Sequence, residues 1–274
     1  AGREVPPLLA QATAAGGRFY RIGQHETPEF LGLDDRYQGA PVSAEAWSMA
    51  ERKRTAPKVF GNESATLWDI GDGIACLEFH SKMNALDDRI GEMLVRTRDG
   101  VERGFKGLVI GNDGPNFSVG ANIQFIVQNA LSGDYEAIRQ FIGNLQQGLM
   151  GLKYAPFPVV GAPLGLGLGG GCEVLLACNA LQAHSEFNGG LVELKVGLIP
   201  GGGGCKEMLL RRYQKLGEAR ADEAIAGAFD VIASAAVSSS AADARRLEIL
   251  TDSDGITMHR KRVLSDAKAR VLTM

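Results

Sequence analysis

Residues 165–179 read GLGLGGGCEVLLACN, with five glycines in the first seven positions and one carboxylate, Glu173, at the mouth of an apolar run. Glycine at that density lets the backbone come close to another group, and the free N–H groups at a helix start favour negative charge. Gly165, Gly167 and Gly170 satisfy the G-x-G-x-x-G pattern of a dinucleotide-binding turn. Two features count against a nucleotide. The run lies past the middle of the chain, not at a first strand, and Glu173 in the first helical turn would repel a phosphate. A plainer reading is that the glycines only allow close packing of helix on sheet, with Glu173 contributing about 0.3–1 kcal/mol against the helix dipole. Val174 to Ala177, however, make the helix apolar all round and therefore buried, and a buried carboxylate is uncommon without a use. A third reading accounts for both features. Backbone amides stabilise an oxygen that becomes negative during a reaction, and a glutamate of raised pKa moves protons beside them.

The composition bounds the rest. With 274 residues, 45% apolar and 22% charged, the chain has the make-up of a soluble globular protein with one main domain. A net charge of −3 gives no global basic field, which disfavours nucleic acid and anionic membranes as partners and leaves a small molecule. The most apolar window, residues 159–181, is interrupted by six glycines and Glu173 and makes a poor membrane span. Cys76, Cys172, Cys178 and Cys205 lack metal-ligand spacing and fit a reducing cytoplasm. His25, His80, His184 and His259 are scattered, so no metal site is expected. Ser118 lacks the first glycine of G-x-S-x-G, Asp252-Ser-Asp254-Gly255 reads as an ordinary turn, and Trp47 and Trp68 read as packing anchors.

Along the chain, residues 1–60 read as an appendage, with a helix near Val5 to Ala15 and another near Ala44 to Arg54. Residues 61–274 read as the main domain. TLWDIGDGIACLEF from Thr66 predicts a hairpin about Gly71-Asp72-Gly73, and Asn84 is the expected cap of a helix carrying Leu86, Ile90, Met93 and Leu94. FKGLVIGN from Phe105 predicts a strand buried on both faces. A glycine-bearing loop, NFSVGANI, follows. Ile138, Phe141, Ile142, Leu145, Leu149 and Leu152 then form the stripe of a long amphipathic helix ending before Pro156. FPVVGAPLG starts the next strand. Beyond the glycine run come a helix over 173–178, a strand over 181–184, a loop with Glu193, the run IPGGGG and three or four further helices. Strand, loop and helix recur, so the fold class is α/β.

NFSVGANI, GLGLGGGCEVLLACN and VELKVGLIPGGGG, in that order, resemble the three signature segments of the crotonase, or enoyl-CoA hydratase, superfamily over about residues 66–213. The resemblance implies a crotonase-like spiral of ββα turns with a helical C-terminal region. It also implies an acyl thioester of coenzyme A as substrate, the coenzyme being part of the substrate and not a separate cofactor. Matched residue by residue, Val119 and Gly170 would supply the two amides of an oxyanion hole, Glu173 would activate water and Glu193 would protonate the α-carbon. The coenzyme would lie against residues matching Gly120, Ala121, Asn122 and Ile123, with contributions from Lys82, Ala85 and Leu86. A solvated surface lysine is an equal reading of Lys82.

Both acids are present, which favours a hydratase over a Δ3,Δ2-enoyl-CoA isomerase or a non-catalytic scaffold of the same fold. Val119 and Asn122 depart from the common S-A-G-A-D pattern, Val119 narrowing the oxyanion hole and Asn122 removing a charge. The resemblance further implies fatty-acid β-oxidation and a homotrimer or a dimer of trimers. SVGAN together with LWDIGDGIACLEFHSKMNAL and AVSSSAADARRLEIL is similar to the hydratase half of fused 3-hydroxyacyl-CoA dehydrogenase proteins. Residues 1–60 then correspond to the end of a dehydrogenase and its linker, and the chain to a C-terminal piece without dehydrogenase activity.

Overall fold

The computed structural model describes residues 4–23, 28–40 and 45–274. It divides into two compact units, residues 1–46 and 47–274. The break falls before the expected boundary at residue 60, because Trp47 and Met49 are buried in the core of the second unit and residues 58–61 pair into its sheet. Of the helix expected near residues 44–54, Ala44 lies outside the described residues, as does His25.

The first unit holds α1 (Pro7–Ala14) and an antiparallel sheet of β1 (Tyr20–Ile22), β2 (Pro28–Leu31) and β3 (Tyr37–Gly39). The second opens with the short α2 (Met49–Arg52), where Ser48 and Glu51 form a reciprocal capping box. Then come β4 (Lys58–Gly61), β5 (Ala65–Asp69) and β6 (Ile74–Phe79), an antiparallel run that contains the expected hairpin. After α3 (Asp88–Gly104), the strands β7 (Gly107–Gly111), β8 (Val159–Ala162), β10 (Ala180–His184) and β12 (Gly255–Thr257) continue the sheet in parallel, giving the order β12-β10-β8-β7-β6-β5-β4. A separate parallel pair, β9 (Leu166–Leu168) with β11 (Asn188–Gly190), carries the glycine-rich segment.

All residues of β6, β7 and β8 are buried, as expected of a sheet covered on both faces. The period of two sorts them. Ala75, Leu77, Leu108, Ile110 and Val159 join the larger core, whereas Ile74, Cys76, Val109 and Val160 join a second core with Val263, Leu264, Ala267 and Val271. Those last four lie on α10 (Val263–Thr273). The larger core also contains residues of α3, α5 (Tyr135–Lys153), α6 (Gly170–Leu176), α7 (Gly204–Leu216), α8 (Ala221–Ala233) and α9 (Ala241–Arg246). Lys268 fixes α10 to the hairpin turn, donating to the Ile70 carbonyl at 2.7 Å and pairing with Asp72 at 2.7 Å.

One local expectation is corrected and one element is added. Asn84 does not cap α3. It is buried in a 3-10 turn with φ 54° and donates to the Asn116 carbonyl at 2.9 Å, while Asp87 is the cap and accepts from the Ile90 amide at 2.9 Å. The segment after the NFSVGANI loop, for which the sequence pattern predicts no element, forms α4 (Ile123–Ser132), capped by Asn122 and ended by Gly133 in the left-handed region.

Candidate active site

Two strips of backbone meet where the sequence motifs converge. Ser118 bridges to β9 in parallel: its N–H donates to the Leu166 carbonyl at 3.0 Å and its carbonyl accepts from Leu168 at 2.9 Å. On the other side, the Gly120 carbonyl accepts from Leu86 at 2.8 Å and Asn122 donates to the Leu86 carbonyl at 2.9 Å. The Ser118 side chain does not act as a nucleophile here. Fully buried, it donates to the Asn84 carbonyl at 2.6 Å and accepts from the Gly120 amide at 3.2 Å.

These bonds press residues 119–121 against the start of α6. Gly120 has φ 97°, and a Cβ there would lie 2.8 Å from the Leu168 carbonyl oxygen and 3.3 Å from the Gly170 nitrogen. Only glycine fits that approach without strain. Gly170 is the first residue of α6, so its N–H has no partner within the helix. Among the described residues, neither the Val119 nor the Gly170 amide donates to another group of the chain. Both residues line a cavity of about 540 Å3.

Glu173 and Glu193 line the same cavity. Glu173 is 3% exposed, and its Oε1 accepts from the amides of Gly202 and Gly204, each at 2.8 Å. Burial raises its pKa, while the amides of Gly204, Gly202 and Gly203 pull it back down. Glu193 begins a 3-10 turn, residues 193–196. Both of its carboxylate oxygens are buried without a hydrogen-bond partner. Its pKa is pushed up to about 7, first by burial and then by the negative charge of Glu173; its own amide opposes this slightly. One acid is thus solvated by backbone, and the other is bare.

Much of the remaining wall is apolar: Ile123 and Ile126 of α4, Ile138, Phe141 and Ile142 of α5, and Ile199 of the loop after the 193–196 turn. Phe141 also packs against Phe125, ring centroids 5.4 Å apart. The stripe of α5 therefore serves two surfaces. Leu149 and Leu152 go to the core, and the N-terminal part of the stripe faces the cavity. Of the residues expected at the coenzyme, Gly120, Ala121 and Ile123 line the cavity, but Lys82, Ala85, Leu86 and Asn122 do not. Leu86 is fully buried, Asn122 caps α4, and Lys82 is exposed on its turn.

The sequence reading missed the amides of residues 202–204 that hold Glu173; the only signal was the unexplained run of four glycines. It also missed Gln146 and Lys195, which line the cavity. Among the described residues, no group of three or more His, Cys, Asp or Glu is placed to hold a metal, and no helix is long and apolar enough to cross a membrane.

Two unshared amides lie beside a buried and a half-buried acid in one largely apolar cavity. The enoyl-CoA hydratase/isomerase family model matches residues 69–239. The chain belongs to the enoyl-CoA hydratase/isomerase family. The fold agrees: an enoyl-CoA hydratase from Polaromonas sp. JS666 superposes with TM-score 0.64 at 22% identity, over 76% of each chain. An enoyl-CoA hydratase from Bacillus anthracis gives 0.61 at 20% identity, over 77% of this chain and 75% of that one. At those identities the likeness establishes the crotonase fold.

Relatives in sequence extend the picture. A "Probable 3-hydroxyacyl-CoA dehydrogenase" of Bacillus subtilis is 37% identical over 97% of this chain, which covers 34% of the relative. The "Fatty acid oxidation complex subunit alpha" of Idiomarina loihiensis is 33% identical over 55% of this chain and 21% of its own length. A "Probable enoyl-CoA hydratase" of Bacillus subtilis is 35% identical over 56% of this chain and 57% of its own length. The chain thus spans about a third of the length of the first of these relatives.

Proposed function

We propose that this family member is an enoyl-CoA hydratase, adding water across the 2,3 double bond of 2-enoyl-CoA thioesters in fatty-acid β-oxidation. The observation that carries the reading is the unequal pair of acids beside the amide pair: Glu173, whose backbone N–H donors oppose the upward pull of burial, and Glu193, bare with its pKa pushed up to about 7.

In this reading the amides of Val119 and Gly170 grip the thioester oxygen. As the oxygen of water bonds to C3, Glu173 takes one of its protons, and negative charge moves onto the thioester oxygen as an enolate. Protonated Glu193 gives its proton to C2, and the enolate collapses back to the thioester. Net addition of H and OH is complete, with a proton on Glu173 and a charge on Glu193; transfer of that proton through the next water resets the pair. The apolar wall of α4 and α5 receives the acyl chain. The coenzyme lies toward Gly120, Ala121 and Ile123, with Lys82, Ala85, Leu86 and Asn122 as supporting positions. The 3-hydroxyacyl product suits a dehydrogenase, which fits a chain derived from a longer fused protein, working in the cytoplasm as a trimer or pair of trimers.

The test is spectroscopic. Adding crotonyl-CoA should remove the ultraviolet absorbance of the conjugated thioester. If that absorbance persists, while a 3-enoyl-CoA gains it, the protein is an isomerase; no change with either substrate marks a silent scaffold.

A further inference from the structure

Gln146 lies on α5, lines the cavity and takes no part in the chemistry above. Its Nε2 donates to the Gly201 carbonyl at 2.6 Å. The same peptide unit presents its other end to the acid: the Gly202 N–H donates to Glu173 Oε1 at 2.8 Å. In a trans peptide the C=O and N–H point to opposite sides, so a donor holding the carbonyl also aims the amide. The unit is flanked by Gly201 and Gly202, whose backbones rotate with little steric hindrance. Gln146 is exposed, so without its side chain only solvent would hold the carbonyl, and such a peptide is freer to turn its oxygen toward Glu173 in place of its N–H.

We infer that Gln146 is a positioning residue for Glu173, acting through the Gly201–Gly202 peptide, so that α5 sets the orientation and basicity of the water-activating acid. The inference rests on the hydratase reading for the role of Glu173, but its structural content, a side chain on α5 fixing an amide on Glu173, does not depend on turnover. An anionic Glu173 gains from each N–H aimed at it, and a carbonyl oxygen in the same place would oppose the charge. Loss of the Gln146 donor therefore raises the pKa of Glu173 and moves the acid limb of activity to higher pH.

The other groups around Glu173 do not replace this control. Glu193 faces it from the 3-10 turn with like charge, Lys195 of the same turn lines the cavity but is not among the groups that shift it, Cys172 on its own helix and Cys205 on α7 are thiols that burial pushes above their ordinary range, and the α5 residues that line the cavity do not titrate. No cation is among the groups that shift Glu173. Burial raises its pKa and backbone donors oppose that rise, and Gln146 is the side chain that aims one of them.

The test compares wild type with Gln146→Met, which keeps length and volume but removes the donor. The Glu173 carboxyl carbon is titrated by 13C NMR, assigned with Glu173→Gln, and the Gly202 amide is followed by hydrogen exchange with the Leu175 amide as an internal control. The expected result is a higher Glu173 titration midpoint, faster exchange at Gly202 with Leu175 unchanged, and kcat on crotonyl-CoA lower by about tenfold with KM little altered. A Glu173 midpoint that stays at the wild-type value, whatever the rate does, overturns the inference; so does unchanged exchange at Gly202. Should the wild type hydrate no enoyl thioester, the hydratase reading falls, and the titration still decides the role of Gln146.

Discussion

Glu173 and Glu193 share a cavity and a charge type, yet their surroundings are opposite. Glu173 sits deeper, with two backbone N–H groups from the glycine run on its Oε1; Glu193 is nearer the surface, with nothing on either oxygen. Burial alone would rank the deeper acid as the stronger proton holder. The hydrogen bonds work against that ranking, because they favour the charged form of Glu173, while Glu193 faces both desolvation and its neighbour's charge. In the proposed hydratase reading the proton of this coupled pair rests on Glu193, leaving one acid to accept a proton and one to give it.

The largest effects should come from erasing one member. Glu173→Gln and Glu193→Gln should each lower kcat for crotonyl-CoA hydration by about 10²–10⁴-fold, the usual contribution of a positioned acid or base, while KM moves little. Full activity in either variant would remove that residue from the chemistry. Next in size is the amide pair. Gly120→Ala forces a Cβ to within 2.8 Å of the Leu168 carbonyl and displaces the Val119 amide, so kcat should fall about 10²–10³-fold, as for loss of one oxyanion donor. An unchanged rate would mean that this amide does not hold the thioester oxygen.

A smaller effect falls on stability. Ser118→Ala leaves the Asn84 carbonyl and the Gly120 amide without their partner, which should cost about 1–3 kcal/mol, read as a lower Tm or denaturant midpoint. The smallest effect is a pH dependence. The folded pKa of Glu193, about 7, lies above its ordinary value of 4.5, so its stabilising contribution is complete below about 4.5 and is lost as pH rises through 7. Relative to Glu193→Gln, wild type should lose about 1 kcal/mol between pH 5 and pH 8, the partial exposure of the residue reducing the effect. Parallel stability curves for the two proteins would show that Glu193 ionises normally.

Much of the frame was legible from local pattern. The hairpin over residues 66–79 and the strand beginning near Phe105 follow from β-rich runs and glycine turns, and the buried helix at Glu173 follows from its apolar neighbours. What was not legible depends on contacts between distant segments. Asn84 and Asp87 are both good caps by residue type; the choice between them was made by a bond from Asn84 to Asn116, which no local window contains. The α5 stripe reads as core throughout, because periodicity does not distinguish a side chain packed on a sheet from one lining an open cavity. The support for Glu173 comes from backbone amides of residues 202 and 204, and backbone leaves no residue-type signature beyond glycine itself.

The division of labour between the two acids is tested most directly by 13C titration of the glutamate carboxyls in the ligand-free protein, with Glu193→Gln and Glu173→Gln to assign them. The account predicts a carboxyl that titrates near pH 7, disappears in Glu193→Gln, and shifts to lower pH when Glu173→Gln removes the neighbouring charge. A Glu193 carboxyl already ionised at about pH 5, in the ordinary range of an exposed glutamate, would contradict it.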